Sequence, residues 1–426
     1  MIIIRHSIKL ITLFLAFILH SNISAQEFVK VEAEKVSMSA ERLQFLTNTL
    51  QEYVDNRKIS GAVALVARRG QVAYFKSFGK SDIENDVPMQ DNSIFRIASQ
   101  TKAIVSVGVM ILQEEGKLLI ADPVGNYLPA YKETTVAITK GDGEYEIVKA
   151  NRPITIRDLL THTAGIGYGG GIASDLWKEA DIQGWYLADR DEPIQETVLR
   201  MASLPFEAQP GEKFVYGYNT DILGALIEVV SGEPLNTFLK TRILDPLDMS
   251  DTHFYLPKDK SNRLTVVYSS TEDGLQRAPD PGGMIGQGAY VKGLRKSFSG
   301  GAGYLSTAID YARFLQMMLN GGEFNGERII SSKTVELMTV NHLGEIPFPW
   351  SKGTGFGLGF SIVEELGLRG TMGSNGEYGW GGAYHSTYWV DPVEDLVVVY
   401  FTQLIPARGL DDHDKLRALV YQALVD

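Results

Sequence analysis

An α+β fold is predicted, with an antiparallel sheet flanked by helices and joined to a mostly helical subdomain. Three observations lead there. Strand patterns gather at both ends of the chain, helical stretches interrupted by Gly-, Pro- and Asp-rich loops fill the middle, and the composition suits one large core shared by two substructures. The chain has 426 residues, 44% of them hydrophobic and 22% charged, which excludes disordered and fibrous classes. The sheet part is expected at about 40–95 and 290–426, and the helical part at about 96–289, with no internal repeat.

The chain opens with Arg5 and Lys9, an apolar run from Leu10 to Leu19, and small residues ending at Ala25. That order predicts a cleaved signal peptide over 1–25 and a mature domain over 26–426, exported to a bacterial periplasm or beyond. A membrane anchor would want about 20 apolar residues, and this run is shorter. Without cysteine the domain holds together with no disulfide and offers no thiolate for zinc or iron–sulfur clusters. Removing Arg5 and Lys9 leaves 38 basic against 52 acidic residues, a net charge of −14. Such a chain suits neither nucleic acid nor an anionic membrane surface.

Ser39–Asn56 has helical spacing without Gly or Pro, and GAVALVARRG and QVAYFKSFGK then read as a hairpin turning at Arg69-Gly70. From Ser99 a helix is predicted through Ile104, Val105, Val107, Val109, Ile111 and Leu112, stopping at Gly116. TVAITKGDGEYEIVKA is a candidate hairpin inside the helical middle. LGFSIVEEL, GTMGSNGEYGW, AYHSTYWVD and DLVVVYFTQ return to strand patterns before a last helix over Asp411–Val425.

The chemistry begins at FRIASQTKAI, residues 95–104. With a helix starting near Ser99, Ser99 and Lys102 share a face about 5–6 Å apart at Cβ, so the amine can reach the hydroxyl. A serine is a weak nucleophile until a base takes its proton. A lysine can be that base when burial or nearby positive potential lowers its pKa, and a helix N-terminus supplies such potential and can also hold an oxyanion. The same string recurs at Ser77 and Lys80, where Gly79 and a strand end keep the side chains off a common helical face. Tyr216, Tyr218 and Asn219 lie in the irregular stretch before the helix that comes after PGEKF, where a phenol could relay a proton. In YGWGGAYHSTYWVDP, residues 378–392, paired glycines in a strand mark close approach of a backbone or ligand, and an edge there could offer an oxyanion donor.

These three stretches, in this order, resemble the serine β-lactamase and penicillin-recognising superfamily, in particular the branch holding family VIII carboxylesterases beside class C β-lactamases and D-stereospecific peptidases. TIRDLLTHTAGIGYG, ILDPLDMSDTHFYLP, SGGAGYLSTAIDYARFLQMML and WVDPVEDLVVVYFTQ extend the resemblance from about Arg42 to the C-terminus. It implies a β-lactamase/transpeptidase-like fold and an acyl-enzyme mechanism. Ser99 would be the acylated nucleophile, Lys102 its base partner and Tyr216 the family tyrosine, with the backbone amides of Ser99 and Ala383 as oxyanion hole. Trp380, Gly381, Gly382, Tyr218, Asn219 and His385 would bind substrate, His385 standing either towards the cleft or out to solvent. Two departures matter. Tyr218 stands where lactamases carry Asn, with Asn219 one step on, and Trp380 replaces the Lys or His that opens the third motif elsewhere. A missing cation there tilts the expectation from β-lactams and D-Ala-D-Ala peptides towards uncharged esters, with Trp380 as an apolar wall. The expected activity is a serine hydrolase on a small ester or amide, most simply a carboxylesterase. A D-Ala-D-Ala carboxypeptidase or weak β-lactamase, and a non-catalytic penicillin- or cell-wall-binding protein, are the alternatives. No oligomeric state is implied.

Other signals carry less. GIGYGG, residues 165–170, fits G-x-G-x-x-G but comes after a helical stretch instead of a strand, and no G-x-S-x-G occurs. His162 is expected to be buried with a satisfied hydrogen bond. The five mature histidines show no H-x-x-x-H or H-x-H spacing, so neither a metal site nor a cofactor is expected.

Overall fold

The computed structural model describes residues 28–141 and 143–426; the expected signal peptide lies outside them. Its central sheet has eight antiparallel strands: β1 (Gly61–Arg68), β2 (Gln71–Asp82), β3 (Val87–Pro88), β4 (Thr354–Phe356), β5 (Ser361–Val363), β6 (Tyr378–Gly382), β7 (Ser386–Asp391) and β8 (Leu396–Phe401). Their lateral order is β4-β5-β6-β7-β8-β1-β2-β3, so the last strand of the chain joins the first to the rest. Arg69 and Gly70 both take positive φ, 53° and 72°, the primed turn whose twist matches the flanking strands.

β1 from Gly61 to Ala67 and the whole of β8 are apolar because both faces of the sheet are covered. Val63, Leu65 and Ala67 face one core with Val397, Val399 and Phe401, while Ala62, Ala64 and Val66 face the other with Leu396, Val398 and Tyr400. Five helices cover the sheet or carry the site: α1 (Ala40–Asp55), α2 (Thr101–Glu114), α3 (Asn219–Ser231), α4 (Ala308–Leu319) and α5 (Asp412–Tyr421). α1 starts where Ser39 accepts a hydrogen bond from the Arg42 amide, and it packs with α5 over one face, burying Leu43, Leu46, Leu50 and Tyr53. α4 covers the other face against β8 and β1. α2 runs through the interior with every residue from Thr101 to Leu112 buried, crossing α3. Gly108 makes that crossing close: a Cβ there would stand 2.8 Å from Leu239 Cδ2 and 3.1 Å from Ile227 Cδ1.

Several elements differ from the sequence expectation. Ser99 lies in a 3-10 turn, Ala98–Gln100, and the α-helix begins only at Thr101. The last segments form shorter strands than their patterns predict, and Gly370–Glu377 forms none, since glycines at 370, 373 and 376 take positive φ. The sheet part contains α4 and the helix Ser332–Met338, and the helical part carries the expected hairpin Thr135–Gly141/Glu144–Lys149 plus another, Tyr268–Thr271/Gly274–Arg277. Ser77 and Lys80 sit on β2, Lys80 pairing at the surface with Asp86.

Candidate active site

The turn bearing Ser99 is held from several sides. Phe95–Arg96 pairs with Leu305–Ser306, Ile97 N–H donates to Tyr304 O, and Tyr311 Oη donates to Gln100 O. The buried Arg96 guanidinium is capped by the carbonyls of Gln287 and Thr265. Ala98 is forced to φ 43°, a left-handed conformation that a non-glycine residue adopts only where its surroundings over-determine it. The contacts that impose this conformation keep the serine turn apart from the helix that begins at Thr101.

Lys102 is 2% exposed, and its Nζ donates to Ser99 Oγ at 3.3 Å, Tyr168 Oη at 3.1 Å and Gly301 O at 2.7 Å. Gly301 is itself fixed by the buried Asp221, whose Oδ1 accepts from Gly301 N–H and Ser299 Oγ. Burial pushes the Asp221 carboxyl up, opposed by the Ser299 hydrogen bond and the nearby Lys102 charge. The Tyr216 ring lies under Lys102 Nζ, 4.6 Å from its centroid, and Tyr216 Oη accepts a 3.0 Å hydrogen bond from Trp380 Nε1–H. Burial, with Tyr216 next to it, holds the Tyr168 hydroxyl well above the ordinary phenol range, so it stays protonated.

β6 brings the glycine pair to the serine turn. A Cβ on Gly382 would stand 2.5 Å from Ile97 O, so only glycine lets this strand edge pass beside the nucleophile turn and present the Ala383 amide there. Gly217 does the same beside Tyr216, where a Cβ would meet Gly167 C at 2.3 Å.

These groups open on a cavity of about 380 Å³ lined by Ser99, Tyr168, Trp185, Tyr216, Trp350, Trp380, Gly381 and Ala383. No charged side chain is among its lining residues. Trp350, 58% exposed, leans on Phe214, Tyr216, Phe348 and Trp380 with ring centroids 5.4–5.6 Å apart, making an aromatic bank at the mouth.

The structure therefore gathers Ser99, Tyr216, Trp380, Gly381 and Ala383 in the lining of one cavity, with Lys102 bonded to Ser99 behind it and Gly382 packed on the serine turn. Three residues expected at substrate are elsewhere. Tyr218 is fully buried and donates to Gly184 O at 2.6 Å, its ring stacked on Trp177. Asn219, also fully buried, donates to His162 Nδ1 at 2.9 Å and to Ile166 O. Both build the wall behind the site, because α3 begins at Asn219 and its first turn points into the core. His385 faces neither cleft nor open solvent: its Nε2 bonds Asp412 at 2.8 Å and its ring stacks on His413, 4.1 Å away. His162 is buried as expected, and burial, followed by the Lys102 charge, holds its pKa well below the ordinary 6.5.

Tyr168, Trp185 and Trp350 were not singled out by the sequence. Tyr168 lies inside the glycine-rich GIGYGG, whose loop shape serves the lysine instead of a phosphate. The two tryptophans come from loops with no periodicity to mark them.

An arrangement of buried amine, serine hydroxyl and phenol at an apolar cavity, with Ala383 lining the same cavity as the serine, can form and hydrolyse an ester bond to that serine. The β-lactamase family profile matches residues 46–422. Protein Rv1367c of Mycobacterium tuberculosis is 31% identical over 374 residues, spanning 85% of this chain and 90% of its own. Esterase EstB of Burkholderia gladioli is 31% identical over 366 residues, 81% of this chain and 86% of its own. The solved structure of EstCE1, described as a hydrolase with promiscuous acyltransferase activity, superposes with a TM-score of 0.76 at 28% identity, covering 90% of this chain and 98% of that one. With its fold, its extent of match and its relatives agreeing, the chain belongs to the β-lactamase family and is a β-lactamase-fold serine hydrolase.

Proposed function

We propose that the protein is a carboxylesterase acting on uncharged esters through an acyl-enzyme at Ser99. The observation that carries this reading is the cavity lining: aromatic on two sides and without a charged side chain to receive the carboxylate of a β-lactam or of a D-Ala-D-Ala peptide.

In this reading Ser99 Oγ attacks the ester carbonyl as its proton passes to Lys102 Nζ, which must be neutral to accept it. Tyr168 and Gly301 O hold Nζ so that its remaining valence faces Ser99. The tetrahedral oxyanion lies against the amides of Ser99 and Ala383. Tyr216 Oη delivers a proton to the departing alkoxide, and the Trp380 indole N–H, donating to that oxygen, stabilises the charge left on it. The proton held by Lys102 then passes to the Tyr216 oxygen through the entering water, which leaves the amine neutral and the phenol restored, and water repeats the sequence on the acyl-enzyme. The signal-like first residues and the lack of cysteine support an exported enzyme.

Hydrolysis of a p-nitrophenyl ester series and of nitrocefin, each beside Ser99→Ala, tests the proposal. Ester turnover that falls about 10⁴-fold or more in the variant, with little nitrocefin cleavage, is the expected result. Nitrocefin cleavage or stable acylation without ester turnover would move the protein to the lactam and D-Ala side. Failure of Ser99 to take a fluorophosphonate label would make it a non-catalytic binding protein.

A further inference from the structure

On the far side of the turn after β6 lies a second cluster of chemistry-bearing residues. His385, Asp412 and His413 each offer one donor atom, and these atoms all lie within 4.8 Å of one another; His413 Nε2 also stands 3.4 Å from the His385 carbonyl. They come from two elements, the turn between β6 and β7 and the first turn of α5, so no sequence spacing announces them.

Asp412 is 0% exposed at its side chain, and among the described residues no lysine or arginine pairs with it; its partners are His385 Nε2 at 2.8 Å and Tyr400 Oη at 3.0 Å. The N-terminus of α5 offsets part of that charge. A buried carboxylate faced by two imidazoles and a phenol, with no permanent cation, is a donor set in want of positive charge. Two imidazole nitrogens and one carboxylate oxygen suit zinc, cobalt or nickel and are poor for magnesium or calcium. Tyr400, bonded to the other carboxylate oxygen, stands where an outer-shell partner orients a ligand. The side chain of His385 is 16% exposed, which gives an ion a path inward. Bonds of about 2.1 Å in tetrahedral geometry place donors ~3.4 Å apart, so three atoms within 4.8 Å of one another close on an ion by small shifts of the two stacked rings and of the turn that carries His385.

We propose that His385, Asp412 and His413 bind one first-row transition-metal dication, with water completing the shell. The site is coupled to the ester chemistry through the turn it shares, and that second claim rests on the esterase reading. The His385 backbone N–H donates to Gly382 O at 3.1 Å, closing the turn that holds Ala383, and Thr402 Oγ1 donates to the carbonyls of Tyr384 and His385. Tilting the His385 ring onto an ion therefore pulls on the segment that aims the Ala383 amide.

Cobalt(II) titrated into chelator-treated protein is the direct test. Visible absorption bands of tetrahedral or five-coordinate cobalt saturating at one equivalent, displaced by zinc, are expected, together with a rise of several degrees in the unfolding midpoint. His413→Gln, checked for an unchanged midpoint without metal, loses both signals. The same spectrum is expected from Ser99→Ala protein, which separates failure of the metal site from failure of the esterase reading. No cobalt spectrum at millimolar metal, or a spectrum that survives both His413→Gln and His385→Gln, overturns the site. A several-fold change in kcat for a p-nitrophenyl ester on adding zinc, absent in His413→Gln, is expected from the coupling; unchanged kcat at a saturated site overturns the coupling.

Discussion

Trp380 has two duties that a single substitution separates. It lines the cavity and its indole N–H donates to Tyr216 Oη. Trp380→Phe keeps an aromatic wall and removes the donor. In the proposed mechanism Tyr216 gains charge in the transition state, and losing one hydrogen bond to such a group is worth about 1.4 kcal/mol, so kcat should drop ~10-fold with KM almost unchanged. Steady-state kinetics on one ester decides it: a loss confined to KM would leave Trp380 as a wall alone. His162 gives a pH prediction. Its folded pKa lies below the ordinary 6.5 because burial and then Lys102 disfavour the cation, so on acidification the unfolded chain takes the proton first. The stability it contributes is present above about 6.5 and is lost as pH falls from there towards the folded value. Burial holds His253 at about 4, adding loss of the same sign. Urea midpoints should therefore fall between about pH 7.5 and about pH 5 in the native protein, and fall less in His162→Asn. Asparagine is the replacement of choice since residue 162 has φ 56°, which asparagine tolerates. An equal fall in both proteins would show that His162 is not a source of the loss.

Among the elements, α2 is the one on which the site depends, since Lys102 rides its first turn and the rest is packed on all sides. Its hydrophobic run was legible, as was its end near Gly116. Its start was not, because the turn at Ala98–Gln100 is imposed by pairing with Leu305–Ser306 from about two hundred residues away and leaves no local signature. Gly108 tests how tightly α2 is held. In an isolated helix Gly108→Val would be favourable, but here the new methyls run into Leu239 and Ile227, and overpacking of this kind costs about 1–3 kcal/mol. A lower denaturant midpoint with unchanged m-value is expected; an unchanged or raised midpoint would mean that the helices part easily at this crossing.

At the scale of the whole molecule, the sheet is closed by its last strand. β8 joins β1 to β7, so chains ending before Leu396 lose the strand between the two ends and should show no cooperative unfolding by circular dichroism. A folded truncated protein would contradict this view of the core. The mouth of the cavity is likewise built by parts distant in sequence. Trp350, from the excursion before β4, meets Tyr216 and Trp380 there, and Trp350→Ala should raise KM for naphthyl or benzoyl esters about 3- to 10-fold, the value of one aromatic contact, while leaving small acetates nearly unaffected. Equal effects on both ester classes would mean that Trp350 supports the site without touching substrate. The α+β class, the hairpin at Arg69-Gly70, the first and last strands and the pair Ser99 and Lys102 were legible along the chain, because each rests on local periodicity, turn chemistry or neighbouring residues, while Tyr216 and the glycine-bearing strand were joined to that pair by resemblance to a known family. It took the assembled fold to turn Tyr218 and Asn219 inward, to bring Tyr168, Trp185 and Trp350 to the lining of the serine's cavity, and to bring His385 to Asp412 and His413. Side-chain direction in irregular backbone is set by what packs against it from far along the chain, and such contacts leave no period for a sequence to display.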